Sequence, residues 1–243
     1  MGSPAGGIAL LVLEGPWWTP KDKPKRPSIL PFFEGLEKYK GDFNIYYSNF
    51  YEKTGFRRAL EDDLTHTKED RLFLYIAAHG YSRMIGGLKS KTGMQISTLL
   101  SQVKAVAQNS NIEGVVLGSC NIGINIQDFA RTVKGSRICW LFAYTCEIDW
   151  VASTLVDVSV FEQMTALPRK DLQSREAIVE GFARALARFN KDYSICNTDG
   201  VTTPLSDAIT LVVQPRRRGA RPVDTRQFLF EKLGWTESGQ HPS

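Results

Sequence analysis

The chain is predicted to fold as an α/β protein with a six-stranded, mostly parallel sheet and helices on both faces. Three observations carry this reading. Short apolar runs recur along the chain, Gly or polar residues bound each run, and segments with helical spacing of apolar residues lie between them. Unbroken apolar runs of this length are strands buried on both faces, the parallel type. Their alternation with helical segments is the pattern of an α/β sheet, and right-handed crossovers then place helices on both sides of it.

Each element follows in order. Met1 to Gly7 is rich in Gly and reads as a flexible leader or an expression scar, leaving residues 8–243 as one domain. Ile8 to Leu13 is the first strand, ending in Glu14-Gly15-Pro16-Trp17-Trp18. Thr19 to Pro31 carries too much Pro for a regular element. Phe32 to Tyr39 reads as a helix and Phe43 to Tyr47 as the second strand. Phe56, Leu60 and Leu64 recur every four residues on a short helix. Leu72 to Ala78 is the third strand, stopping at His79-Gly80. Tyr81 to Gly93 is polar and Gly-containing, a loop or small hairpin. Ile96, Leu99, Leu100, Val103 and Val106 share one helix face. Gly114 to Gly118 is the fourth strand and delivers Ser119-Cys120. Ile126, Phe129, Ala130 and Val133 mark another amphipathic face, and Ile138 to Tyr144 is the fifth strand. Helical patterns cover Val151 to Leu167 and then Ile178 to Phe189. Ala208 to Val213 is the sixth strand.

Composition narrows the function classes. A net charge of +4 over 243 residues does not by itself call for nucleic acid. No apolar run is long enough to span a bilayer, and no basic segment precedes Ile8 as in a signal peptide. The four Cys, at 120, 139, 146 and 196, form no regular framework and read as reduced thiols of a cytoplasmic protein. Without a Cys-x-x-Cys or paired-His spacing, neither a metal nor another cofactor is expected. Arg216-Arg217-Arg218, with Arg221 and Arg226, lacks interleaved aromatics. It reads as a solvated loop or a contact for an acidic regulatory partner rather than a nucleic-acid surface.

The chemistry lies where two buried strands end. Ligands of open α/β sheets bind beyond the carboxyl ends of the strands, and there one strand delivers the imidazole of His79 and another the thiol of Cys120. His66 and His241 sit in polar stretches, so His79 is the candidate base. A Cys nucleophile acts as its thiolate and needs such a base. The oxyanion that forms needs fixed donors, for which the Gly80 and Cys120 amides are the candidates. These parts serve acyl transfer. Singly, either residue also fits a bland reading, a small buried hydrophobe or a structural histidine.

His79 precedes Cys120. Hydrolases that present Cys on a nucleophile elbow place the His after it, and the elbow pattern itself is absent from Gly118-Ser119-Cys120-Asn121-Ile122-Gly123. With its strand ending in His79-Gly80, the next ending in Ser119-Cys120 and the six-strand order, the chain resembles the caspase-like cysteine peptidases. That clan holds caspases, metacaspases, gingipains, separase and CHAT-domain proteases. The resemblance runs from Ile8 to about Val213 and is to bacterial or fungal members, since the caspase pentapeptide is missing. It implies a single caspase-like domain, a cysteine endopeptidase with His79 as general base and Cys120 as nucleophile, and a protein or peptide substrate. It also implies an effector role in defence or cell death, under an activating or regulatory protein.

Tyr144 to Trp150 looks like the segment that lines the S1 pocket with an acidic residue in metacaspases and CHAT proteases, with Ser153 and Asp157 following. Asp149 is the first choice for that acid, then Glu147, with Glu14 at the same sheet edge. An acidic floor would select Arg or Lys before the scissile bond. The same carboxylates also suit solvated loop charges or helix N-caps. Trp150, with Trp17 and Trp18, would either wall the substrate cleft or pack over the sheet edge. Two other functions remain open: a catalytically silent interaction module, and a small-molecule thiol amidase or esterase.

Overall fold

The structure is a computed structural model and describes residues 6–16, 28–87, 93–198 and 201–235. Its centre is a sheet of β1 (Ile8–Glu14), β2 (Phe43–Asn49), β3 (Arg71–Ala77), β7 (Ile112–Gly118), β8 (Trp140–Tyr144), β11 (Ile209–Val213) and β12 (Val223–Asp224). The spatial order is β12-β11-β8-β7-β3-β1-β2. The first five of these strands in chain order are parallel, β11 pairs antiparallel with β8, and the edge strand β12 pairs antiparallel with β11. The sheet therefore has seven strands rather than the expected six. The extra one, β12, is a two-residue exposed edge, too short to leave a periodic signal.

Helices cover both faces. On one side lie α1 (Leu30–Lys40), α5 (Trp150–Ala166), α6 (Arg175–Leu186) and α8 (Arg226–Leu233), packed over Leu10, Phe73, Tyr75, Trp140 and Phe142. On the other lie α2 (Lys53–Arg58), running on into a π-turn over Ala59–Leu64, α3 (Ile96–Asn109) and α4 (Ile126–Val133). There they cover Leu11, Leu74, Ile76, Val115 and Leu117. Alternate residues of each strand face opposite cores, which is why the strands read as continuous apolar runs.

Large and small residues interlock across this sheet. Gly114 on β7 sits against the Trp140 ring of β8, and a Cβ there would come within 2.6 Å of Trp140 Cδ2. Between α5 and the sheet lies a fully buried carboxylate, Asp157, which accepts the hydroxyls of Tyr75 at 2.9 Å and Tyr144 at 2.7 Å. Asp157 thus ties α5 to β3 and β8 from beneath and takes no part in a substrate pocket, contrary to its place in the S1 segment read from sequence.

Burial pushes the Asp157 carboxyl up to about 7, against the opposing pull of the two hydroxyls. Because the folded-state value is raised, its contribution to stability is full below the ordinary carboxylate range and is lost as pH rises through about 7. Asp157→Asn keeps an acceptor and removes the charge. In urea unfolding from pH 4 to 8, we expect wild type to lose about 2–4 kcal/mol relative to this variant. Parallel pH profiles for the two proteins would contradict the assignment.

In the region of the expected Tyr81 to Gly93 loop or hairpin, β4 (Gly80–Tyr81), β5 (Met84–Ile85) and β6 (Met94–Gln95) form a small antiparallel sheet, residues 88–92 lying outside the described residues. A second hairpin, β9 (Ser194–Thr198) with β10 (Val201–Pro204), precedes the four-residue helix α7 (Leu205–Ala208). Trp17, Trp18 and most of the Pro-rich loop lie outside the described residues.

Candidate active site

β3 and β7 are neighbours in register, with Ala77 opposite Gly118. Their carboxyl ends are tied where they leave the sheet, since the Ala78 amide donates to Ser119 Oγ at 3.2 Å. Beyond that tie the two loops touch. A Cβ on Gly80 would lie 2.8 Å from the Cys120 nitrogen and closer still to its carbonyl oxygen, so only Gly allows this approach. Asn121, directly after Cys120, takes a left-handed conformation at φ 59 and donates its amide to Cys146 O at 2.8 Å. Asn tolerates that region better than most residues. Asn125 then bridges the loops, donating from Nδ2 to Ser82 O at 2.7 Å and Ile122 O at 2.8 Å.

The result is a cleft of about 590 Å³ at the carboxyl edge of the sheet. His79, Gly80 and Tyr81 line it from one loop, Cys120 and Asn121 from the next. Glu147, Ile148, Asp149 and Ala152 form a further wall, and Ser194, Cys196 and Asn197 of β9 complete it. The His79 ring stacks on Tyr81, with centroids 6.1 Å apart and planes at 29°. Cys120 Sγ accepts the Ile148 amide at 3.4 Å. Burial raises the Cys120 thiol above its ordinary value; the Ile148 amide opposes this, and the Glu147 carboxylate and Cys196 add to it. A thiol held protonated this way needs a base to take its proton as it attacks.

Two of the other three thiols differ. Burial pushes Cys139 and Cys146 up to about 12, and neither lines the cleft. Among the described residues no group of His, Cys, Asp and Glu could hold a metal ion.

The remaining site candidates separate. Glu147 and Asp149 are exposed on the cleft wall. Asp149 is also the N-cap of α5, its Oδ1 accepting the Ala152 amide at 2.8 Å, so the pocket and capping readings are compatible. Its own amide donates to Ile195 O at 2.7 Å, fixing this wall to β9. Glu14 does not line the cleft. It is fully buried at the end of β1, accepting from Ser28 Oγ at 2.7 Å, the Ile29 amide at 3.1 Å and the Tyr47 hydroxyl at 2.8 Å. Its charge organises the entry to α1 instead. Trp150 does not line the cleft either: it is edge-on to Phe32 at 5.5 Å and packed against the core.

Sequence reading missed the β9 contribution. The signal was present: Ser194-Ile195-Cys196-Asn197-Thr198 and Val201-Thr202-Thr203 flank an Asp199-Gly200 dipeptide, a strong hairpin indicator.

Among the described residues no helix is long and apolar enough to cross a membrane. No protein-family model matches the chain, and no curated protein matches it by sequence. Among solved structures it is similar to a secreted C11 cysteine protease from Bacteroides thetaiotaomicron, at 14% identity and a TM-score of 0.49, covering 86% of this chain and 67% of that one. It is also similar to a secreted C11 cysteine protease from the same bacterium in complex with an irreversible peptide inhibitor, at 9% identity and a TM-score of 0.47, covering 86% and 66%. The chain spans about two thirds of the length of each.

Proposed function

We propose that this protein is a cysteine peptidase that cleaves after a basic residue. The observation that carries the reading is that two adjacent buried strands, β3 and β7, open into one cleft lined by His79, Gly80 and Cys120. In this reading His79 takes the thiol proton as Cys120 Sγ bonds to the scissile carbonyl carbon. The Gly80 and Cys120 amides hold the resulting oxyanion. The same proton passes to the leaving amine as the C–N bond breaks, and water then hydrolyses the thioester with His79 again as base.

Charge supports the specificity. Among the described residues, Glu147 and Asp149 are the carboxylates of the cleft wall and neither Lys nor Arg lines it. Such a site favours Arg or Lys and repels an acidic side chain before the scissile bond.

The test is hydrolysis of peptides carrying Arg, Lys, Asp or Leu at that position. Wild type should cleave the Arg and Lys peptides, and Cys120→Ala should lower kcat/KM by about 10³-fold or more. Replacing both carboxylates, Glu147→Gln with Asp149→Asn, should cost about tenfold or more on the Arg peptide, with little change on Leu. Preference for the Asp or Leu peptide over the Arg and Lys peptides would overturn the acidic pocket and spare the dyad. Absence of Cys120-dependent cleavage of every peptide would favour a binding module.

A further inference from the structure

At the opposite end of the sheet, where β3 and β7 begin, a second constellation has no role in the cleft. Glu113 on β7 is fully buried. Arg71 Nε meets its Oε2 at 2.7 Å, while Arg169 Nε and Arg216 Nη1 both meet its Oε1 at 3.1 Å. A fourth arginine, Arg137, is held beside them and, among the described residues, pairs with no carboxylate. Its Nη1 donates to Asn111 Oδ1 at 2.7 Å, and its carbonyl accepts from Arg216 Nη2 at 3.0 Å. Three guanidiniums thus share one negative charge, and a fourth lies on the rim of a shared hollow. Of the four, Arg137, Arg169 and Arg216 line this hollow of about 360 Å³, whose other lining residues are Asn111 and Ser136.

We infer that this hollow is a binding site for a compact phosphate-bearing anion. One buried carboxylate and the neighbouring carbonyls orient the guanidiniums, but cannot neutralise them. Arginine forks held in advance match phosphoryl oxygens bidentately and lose little freedom on binding. The lining argues for a small anion over other acidic partners. Among the described residues it offers no apolar side chain to anchor a peptide and no aromatic on which a nucleic-acid base could stack. Arg216 belongs to the Arg216-Arg217-Arg218 run that sequence alone left as a solvated loop or an acidic contact.

The experiment is calorimetric titration of the whole chain with inorganic pyrophosphate and tripolyphosphate at about 0.15 M salt, where surface attraction is screened over roughly 8 Å. Saturable binding at one site is expected, tighter for the longer anion. Arg137→Glu should weaken it by about tenfold or more, since Arg137 is exposed and makes no contact with Glu113. Arg57→Gln, on exposed α2, should leave it unchanged. Absence of saturable binding overturns the site, as does equal binding by wild type and Arg137→Glu. Equal weakening by Arg57→Gln would mean nonspecific attraction and also overturn it. Tighter binding of a phosphoserine peptide than of tripolyphosphate would overturn the small-anion assignment.

Discussion

Gly80→Ala is expected to lower kcat/KM on any peptide the protein cleaves by about 100-fold or more. The added Cβ would fall 2.8 Å from the Cys120 nitrogen, 2.9 Å from its carbonyl carbon and nearer to its oxygen, all of them backbone atoms. No rotamer change can relieve such a clash, so one loop must move. The strand ends cannot follow, because Ala78 N is held by Ser119 Oγ and Gly86 N by His79 O at 2.8 Å. Displacement is therefore concentrated between His79 and Cys120, where an ångström matters most for proton transfer. The melting temperature should fall as well, but activity should fall further than stability explains. Wild-type kcat/KM in Gly80→Ala would show that the two loops do not act as a unit.

Glu113→Gln carries the largest expected cost to folding, about 3–5 kcal/mol by urea unfolding. The side chain has no exposure and three guanidiniums within 3.1 Å. Gln keeps the shape and one acceptor, so the loss reports the charge itself. What remains is Arg71, Arg169 and Arg216 facing each other around a neutral group, with Arg71 itself only 11% exposed and poorly placed to retreat into water. A destabilisation below about 1 kcal/mol would show that solvent already screens the cluster.

These two positions also show what could be read from sequence. The third strand was legible because Leu72 to Ala78 is uniformly apolar, and with it came His79. The fourth was legible for Gly114 to Gly118, which placed Cys120. Its first two residues were not, because Glu113 interrupts the apolar run and a buried carboxylate looks like a loop charge until its arginines are known. Those arginines come from β3, the turn after α5 and the loop after β11, far apart in the chain. Glu14 misled for the same reason. Its position at a strand end was right, but its partners Ser28, Ile29 and Tyr47 are contacts that only the folded chain brings together. Antiparallel pairing of β11 with β8 also escaped detection, since a strand buried on both faces carries the same apolar pattern in either direction.

The placement of β3 and β7 in the middle of the sheet has a consequence for how the cleft can move. Both strands are hydrogen-bonded on either side and covered on both faces, so their amides can exchange with solvent only when the whole domain opens. The strands from which the His79 and Cys120 loops leave are therefore expected to be the most protected part of the cleft. Whatever adjustment a bound chain requires must come from the rim, the β4–β5 hairpin and the β9–β10 hairpin, which rest on short ladders of their own outside the main sheet. Amide exchange should accordingly divide this cleft into a slow base and fast walls.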